Sequence, residues 1–187
     1  ALVRTQNLRP HFFPAFMGND FTLLGYRIFV RYQGNDGRKR RGLYILRSET
    51  DRARMVLLGN FFTRYRYRKV GITWEGDVIA STSGLYIQRD QNAHDIALPD
   101  SSVFPDWRTA RRFAGPMPFT FSYDRNTNSM TTVEGIRASW KPGPVKIIKA
   151  RVPLLAELGL EEARLANAFT VKNVSYQWRK GVTEPCP

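Results

Sequence analysis

The apolar and polar positions of the first seventy residues predict two strands, a helix and a third strand that alternates with a period of two. Phe21 to Tyr32 is rich in aromatic and branched side chains and predicts a strand. Gly34-Asn35-Asp36-Gly37 supplies turn chemistry, Arg38-Lys39-Arg40-Arg41 lengthens the loop, and Leu43 to Leu46 returns as a second strand. The expectation is a hairpin with a basic tip. Ser48 followed by Asp51 has the spacing of a capping box, and Met55, Leu58 and Phe62 recur at i, i+3 and i+7, which predicts a helix with one apolar face. Gly59 inside that helix costs propensity, while its small size permits close packing. Arg64 to Lys69 then alternates strictly. As a strand it puts Arg64, Arg66 and Arg68 on one face and Tyr65, Tyr67 and Lys69 on the other.

The same pattern continues in shorter pieces. Ile72 and Trp74, then Val78 to Ser83 and Leu85 to Gln88, predict a meander turned at Glu75-Gly76-Asp77. Asn92 to Pro105 is polar and loop-like. Asp106 is a cap for a short helix from Trp107 to Phe113, ended by Gly115-Pro116. Phe119 to Tyr123 and Met130 to Trp140 predict a strand pair around a turn at Asp124 to Ser129. Val145 to Val152 predicts a strand, Pro153 opens a helix through Phe169, and Val171 to Trp178 predicts a last strand. The sum is an α+β fold: one domain over residues 1–180, an antiparallel sheet or helix-decorated barrel, with residues 181–187 a frayed tail.

Composition narrows the function classes. The 187 residues suffice for one hydrophobic core, and 42% hydrophobic with 13% aromatic residues excludes general disorder. The net charge of +13 points to a small anionic ligand, a nucleic acid or an anionic surface as partner, or to solubility alone. The single cysteine, Cys186, excludes an internal disulfide framework. No apolar run reaches the roughly 18–20 residues of a membrane span, and the expected location is cytoplasmic. His11 and His94 with one terminal cysteine form no zinc set, so no metal or cofactor is expected. No Ser-His-Asp set is readable, and Gly34-x-x-Gly37 belongs to a turn rather than to a phosphate loop.

The runs FTLLGYRIFVRY and GLYILRSETDRARMVLLGNFF, followed by the strand beginning at Tyr65, resemble the bacterial uncharacterised family DUF2071, whose members resemble acetoacetate decarboxylase. The specific likeness lies between Asp20 and Val70. It implies a closed antiparallel β-cone or barrel with flanking helices and a buried cavity, homo-oligomers, and further strands ahead of Ala1. Decarboxylases of this kind carry a Gly-x-Pro-Lys-Lys stretch after the helix, and one lysine forms a Schiff base with a ketone. A gapless placement sets Tyr65 and Arg66 at the two lysines and Thr22 near the strand glutamate. A tyrosine hydroxyl forms no imine, so the resemblance excludes decarboxylation by that route.

Three functions stay open. The first is small-ligand binding in a cavity lined by Tyr65, Tyr67 and Thr22, with a small organic, anionic ligand. Arg66 would hold an anion bidentately, but it shares the opposite face with Arg64 and Arg68, so the tyrosine and Arg66 readings compete. The second is nucleic-acid or anionic-partner binding by Arg38, Lys39, Arg40 and Arg41 with Arg64, Arg66 and Arg68, or a merely solubilising edge. The third is a Schiff-base enzyme using Lys69 as a displaced catalytic lysine, against a strand-end lysine reaching solvent. Glu134 is either a general base or the surface partner of Arg137.

Overall fold

The computed structural model describes residues 1–9, 14, 16, 18–63, 65–113, 117–138 and 140–186, with only the backbone of residues 62 and 63. His11, Arg64, Gly115 and Pro116 lie outside the described residues. In chain order the strands are β1 (Leu2–Leu8), β2 (Asn19–Gln33), β3 (Lys39–Thr50), β4 (Tyr67–Lys69), β5 (Ile72–Glu75), β6 (Val78–Ser81) and β7 (Tyr86–Asp90). They continue with β8 (Phe119–Asp124), β9 (Ser129–Arg137), β10 (Gly143–Pro144), β11 (Lys146–Arg151), β12 (Phe169–Thr170), β13 (Tyr176–Trp178) and β14 (Val182–Pro185). The helices are α1 (Ala53–Thr63), α2 (Trp107–Ala110) and α3 (Pro153–Glu157). This is the expected class, a mostly antiparallel sheet fold with a few short helices.

Two compact units are formed. One takes Ala1–Val70, Pro116–Ile136 and Tyr176–Pro187; the other takes Gly71–Gly115 and Arg137–Ser175. The first holds the large sheet, in the order β1-β2-β3-β8-β9-β13, with β14 also on β9 and β4 also on β3. β3 pairs antiparallel with β2 and parallel with β4 and β8. In the second unit β5, β6 and β7 form the expected meander, β11 joins β7, and β10 pairs with β12. Asp106 caps α2 as the sequence predicts, accepting the Thr109 N–H at 2.7 Å.

Register decides which side chains of the large sheet share a face. Across β2 and β3, Leu23 stands opposite Thr50, Gly25 opposite Ser48, Arg27 opposite Ile45, Phe29 opposite Leu43 and Arg31 opposite Arg41. This is the core face: Phe21, Leu23 and Ile45 cluster there with Met55 of α1, Tyr65, Tyr67 and Val133. Thr22, Leu24 and Tyr26 point the other way with Glu49, whose carboxylate accepts the Tyr26 hydroxyl at 3.3 Å. The acids of β2 and β3, Asp20 and Glu49, both fall on that opposite face.

Several sequence expectations change. Ser48 does not cap a helix; it is 1% exposed within β3, where the ladder to β2 and β4 continues through Thr50. Helix α1 starts at Ala53, and the Met55 and Val56 N–H groups reach the Arg52 carbonyl at 3.0 and 3.3 Å. Met55 is buried but Leu58 is half-exposed, so the predicted apolar face is only partly covered. The basic tip is smaller than expected, because Lys39, Arg40 and Arg41 belong to β3 and only Arg38 stays in the turn. Arg66 has a φ of 54°, which breaks the alternation from Arg64 to Lys69 and delays β4 to Tyr67. The helix opened by Pro153 ends at Glu157; Gly159, with a φ of 67°, turns the chain out of it. Asn173, with a φ of 54°, separates β12 from β13. The tail is not frayed: β14 pairs with β9 from Val182↔Thr132 to Pro185↔Ser129.

Candidate anion cleft at the start of helix α1

Tyr65 and Tyr67 come together on the core face and are 3% and 5% exposed. The Tyr65 hydroxyl is hydrogen-bonded to the Thr120 hydroxyl, which in turn donates to the Val133 carbonyl at 3.3 Å. Tyr67 packs its ring on Gly59 of α1. Burial pushes the Tyr65 phenol up, and it pushes Tyr67 up to about 12, with the positive charge of Arg27 pulling the other way in both. Arg27 stands on the same face, its Nε buried and without a hydrogen-bond partner among the described residues. Gly25 makes room for it: a Cβ there would lie 2.8 Å from that Nε.

Thr22 does not join the tyrosines. It sits on the opposite face, and its N–H donates to Asp51 Oδ1 at 2.8 Å. There it lines a cleft of about 190 Å³ with Arg4, Gln6, Asp20, Asp51 and Arg52. A larger cleft of about 420 Å³ shares Asp20 and Arg52 and adds Gly18, Asn19, Ala53 and Arg54. These two hollows follow β1 and the beginning of β2 to the start of α1.

The larger cleft is surrounded by donors that lack acceptors. Ala53 and Arg54 open an eleven-residue helix with no acid in its first turn. Their N–H groups meet no acceptor among the described residues. The Arg52 and Arg54 side chains are exposed and form no ion pair among the described residues. Asn19 Nδ2 is buried with no partner there either. The two acids nearby are engaged: Asp20 Oδ1 accepts the Asn7 N–H at 2.6 Å and Asp51 that of Thr22. Because the Ser48 cap is missing, the helix start has, among the described residues, only the Thr50 hydroxyl, which accepts the Arg52 N–H at 3.4 Å.

The other predicted site residues are dispersed. Lys69 is exposed at the end of β4, and all seven lysines of the chain are exposed, whereas an imine-forming lysine works from a dry pocket. Arg66 Nη2 donates to the Tyr123 carbonyl at 3.0 Å, and Arg68 lies 4.0 Å from the buried Glu49 carboxylate. Arg40 forks onto Asp36, with one bond of 2.9 Å; that hydrogen bond holds the Asp36 carboxyl down at about 2. Arg38 lies 3.9 Å from the same carboxylate. Among the described residues, Arg38 and Arg40 therefore share one carboxylate while Arg66 and Arg68 go to two other partners. Glu134 pairs with Arg179 at 2.8 Å rather than with Arg137, because Arg179 follows β13 alongside β9 and donates its N–H to the Glu134 carbonyl. Among the described residues no cluster of three metal-ligating side chains occurs, and no helix is long and apolar enough to cross a membrane.

The sequence matches the family described as "Uncharacterized conserved protein", DUF2071, over residues 2–175. No curated protein matches the chain. Among solved structures, one similar chain is a crystal structure of acetoacetate decarboxylase from Legionella pneumophila subsp. pneumophila str. Philadelphia 1. The identity is 13% and the TM-score 0.47, covering 90% of this chain and 66% of that one. This chain thus spans a little under two thirds of that protein's length.

Proposed function

The chain belongs to the DUF2071 family of uncharacterised conserved proteins, and from that premise we propose that it binds a small anionic organic ligand in the cleft at the start of α1. The observation that carries this reading is the convergence of unsatisfied donors. Among the described residues, Arg52, Ala53 and Arg54, with the free helix N–H groups of Ala53 and Arg54 and two guanidinium groups, line one hollow of about 420 Å³ together with Asn19, whose amide nitrogen is buried without a partner. A helix N-terminus offers N–H groups and partial positive charge to a carboxylate or phosphate. Arginine adds a planar fork that matches either group. The ligand's acidic group sits against Ala53 and Arg54. Its remainder extends along Asp20 and Thr22 into the smaller cleft, whose carboxylates favour a body carrying hydroxyl or amine donors. Tyr65 and Tyr67 serve this site from behind, as the packed floor beneath α1.

The test is mass spectrometry of the purified protein, native and then denatured, beside the double variant Arg52→Gln/Arg54→Gln. A small anion released from the natural sequence, and missing from a variant with an unchanged circular-dichroism spectrum, supports the reading. Retention of the same anion by the variant overturns it. For protein that purifies bare, thermal unfolding with inorganic phosphate, citrate and a keto acid decides. Ligand that binds the folded state raises Tm with the logarithm of its concentration, and no rise with any of the three counts against the cleft.

A further inference from the structure

Arg38, Arg40, Arg66 and Arg68 are each engaged with a partner, and strand pairing builds a basic surface that includes a residue the sequence pattern did not single out. Arg31 and Arg41 stand directly opposite each other across β2 and β3, with Lys39 on the next rung. All three are exposed and none has an ion pair or hydrogen bond among the described residues. Like charges directly opposite in an antiparallel pair repel, so the rung is at a cost until an anion bridges it. On β1 to β4 this face carries no carboxylate to do so. The nearest acid in the hairpin, Asp36, is held by the fork of Arg40. Two residues along from Arg31 on the same face, roughly 7 Å away at strand spacing, stands Phe29, 49% exposed although it is aromatic. The unit containing this surface holds 18 of the chain's 29 basic residues and 7 of its 16 acidic ones.

We infer that this end of the hairpin is a docking surface for single-stranded nucleic acid. The Arg31–Arg41 rung takes a backbone phosphate, Lys39 the next one, and the Phe29 ring stacks a base. An aromatic face beside paired cations, without a built set of base-edge donors, suits unpaired bases with little sequence preference. The surface is separate from the α1 cleft, so either can fail alone.

The experiment is fluorescence anisotropy of a labelled oligothymidylate of about ten nucleotides, titrated with the full chain at several salt concentrations. Arg31→Gln/Arg41→Gln is expected to weaken binding at least about tenfold and to shallow the salt dependence by about 0.7 in log–log slope per lost phosphate contact. Phe29→Ala is expected to weaken it about tenfold with the salt slope unchanged. Equal binding by natural protein and the Arg31/Arg41 variant overturns the inference, as does absence of binding at low salt. So does tighter binding to duplex DNA or to anionic lipid vesicles than to the single strand.

Discussion

Gly59→Ala is a sharp test of the packing behind the cleft, because two effects of known sign oppose each other. In the middle of a helix the change from glycine to alanine is worth about 1 kcal/mol in favour of folding. Here a Cβ would lie 2.5 Å from both Cδ2 and Cε2 of the Tyr67 ring. Those are ring carbons within a buried side chain, not the free end of a flexible one. The ring also has little freedom to retreat: Asn60 accepts the Tyr67 N–H at 2.6 Å and donates to its carbonyl at 3.1 Å, fixing the backbone beneath. Overpacking of this sort costs about 1–3 kcal/mol, so after the propensity gain the net expectation is a loss of about 0–2 kcal/mol. Urea unfolding followed by far-ultraviolet circular dichroism would show a midpoint that is unchanged or lowered, with the slope unchanged. The double-mutant cycle supplies the control: in a Tyr67→Ala background the clash is gone, and the same Gly59→Ala change becomes stabilising. A Gly59→Ala protein more stable than the original, or the same effect in both backgrounds, would refute the close contact of α1 with Tyr67.

Two further expectations follow from burial and from the tail. Tyr67 titrates near 12 when folded and near 10 when unfolded. Above pH 10 the unfolded state therefore holds fewer protons, and stability is full below pH 10 and falls as the pH rises towards 12, by about 2–3 kcal/mol from this residue. Urea midpoints across that range, with phenolate absorbance as a second probe, check it; Tyr67→Phe should flatten the slope, and an unchanged slope would contradict it. Removal of residues 182–187 takes away β14 and the Glu184 carboxylate that accepts the Asn35 N–H at 3.1 Å. Hydrogen exchange should then quicken at Ser129 to Thr132 and around Asn35, whereas unchanged protection at both would mean that the tail contributes nothing.

What was legible in the sequence was local. The β2–β3 hairpin declares itself through Phe21 to Tyr32 and the Asn35-Asp36-Gly37 turn, and Asp106 before Trp107 marks α2 correctly. The misjudged boundaries are places where a partner distant in sequence outweighs a local signal. Ser48 and Asp51 have the spacing of a cap, yet Ser48 gains more by staying in a ladder between β2 and β4. The alternation from Arg64 to Lys69 looks like a strand, but Arg66 turns the chain with its φ of 54° and finds an acceptor on Tyr123. Leu155, Leu158 and Leu165 have helical spacing, and the positive φ of Gly159 stops the helix before the second turn is complete. The tail pairs with β9 through contacts no neighbouring residue announces.

The candidate site was legible only at Thr22. Asn19, Asp20, Arg52 and Arg54 come together because β2 starts beside the end of β3, which pairing alone decides. Once the structure starts the helix at Ala53, Arg52 and Arg54 open it with no acid in the first turn, the reverse of the usual charge preference at that end. The buried Glu49 was missed for a similar reason. An acid next to a capping serine suits the first turn of a helix, and only the strand pairing makes it a carboxylate that is 1% exposed beside Tyr26 and Arg68.

The central claim is an anion held at the start of α1, and backbone amide nuclear magnetic resonance reads it at the atoms concerned. Inorganic phosphate titrated into the isotope-labelled full chain is predicted to move the amide resonances of Ala53 and Arg54, together with the Asn19 side-chain amide, along one saturating curve. Saturable shifts confined to other parts of the chain, or none at all at these three groups, would contradict the account.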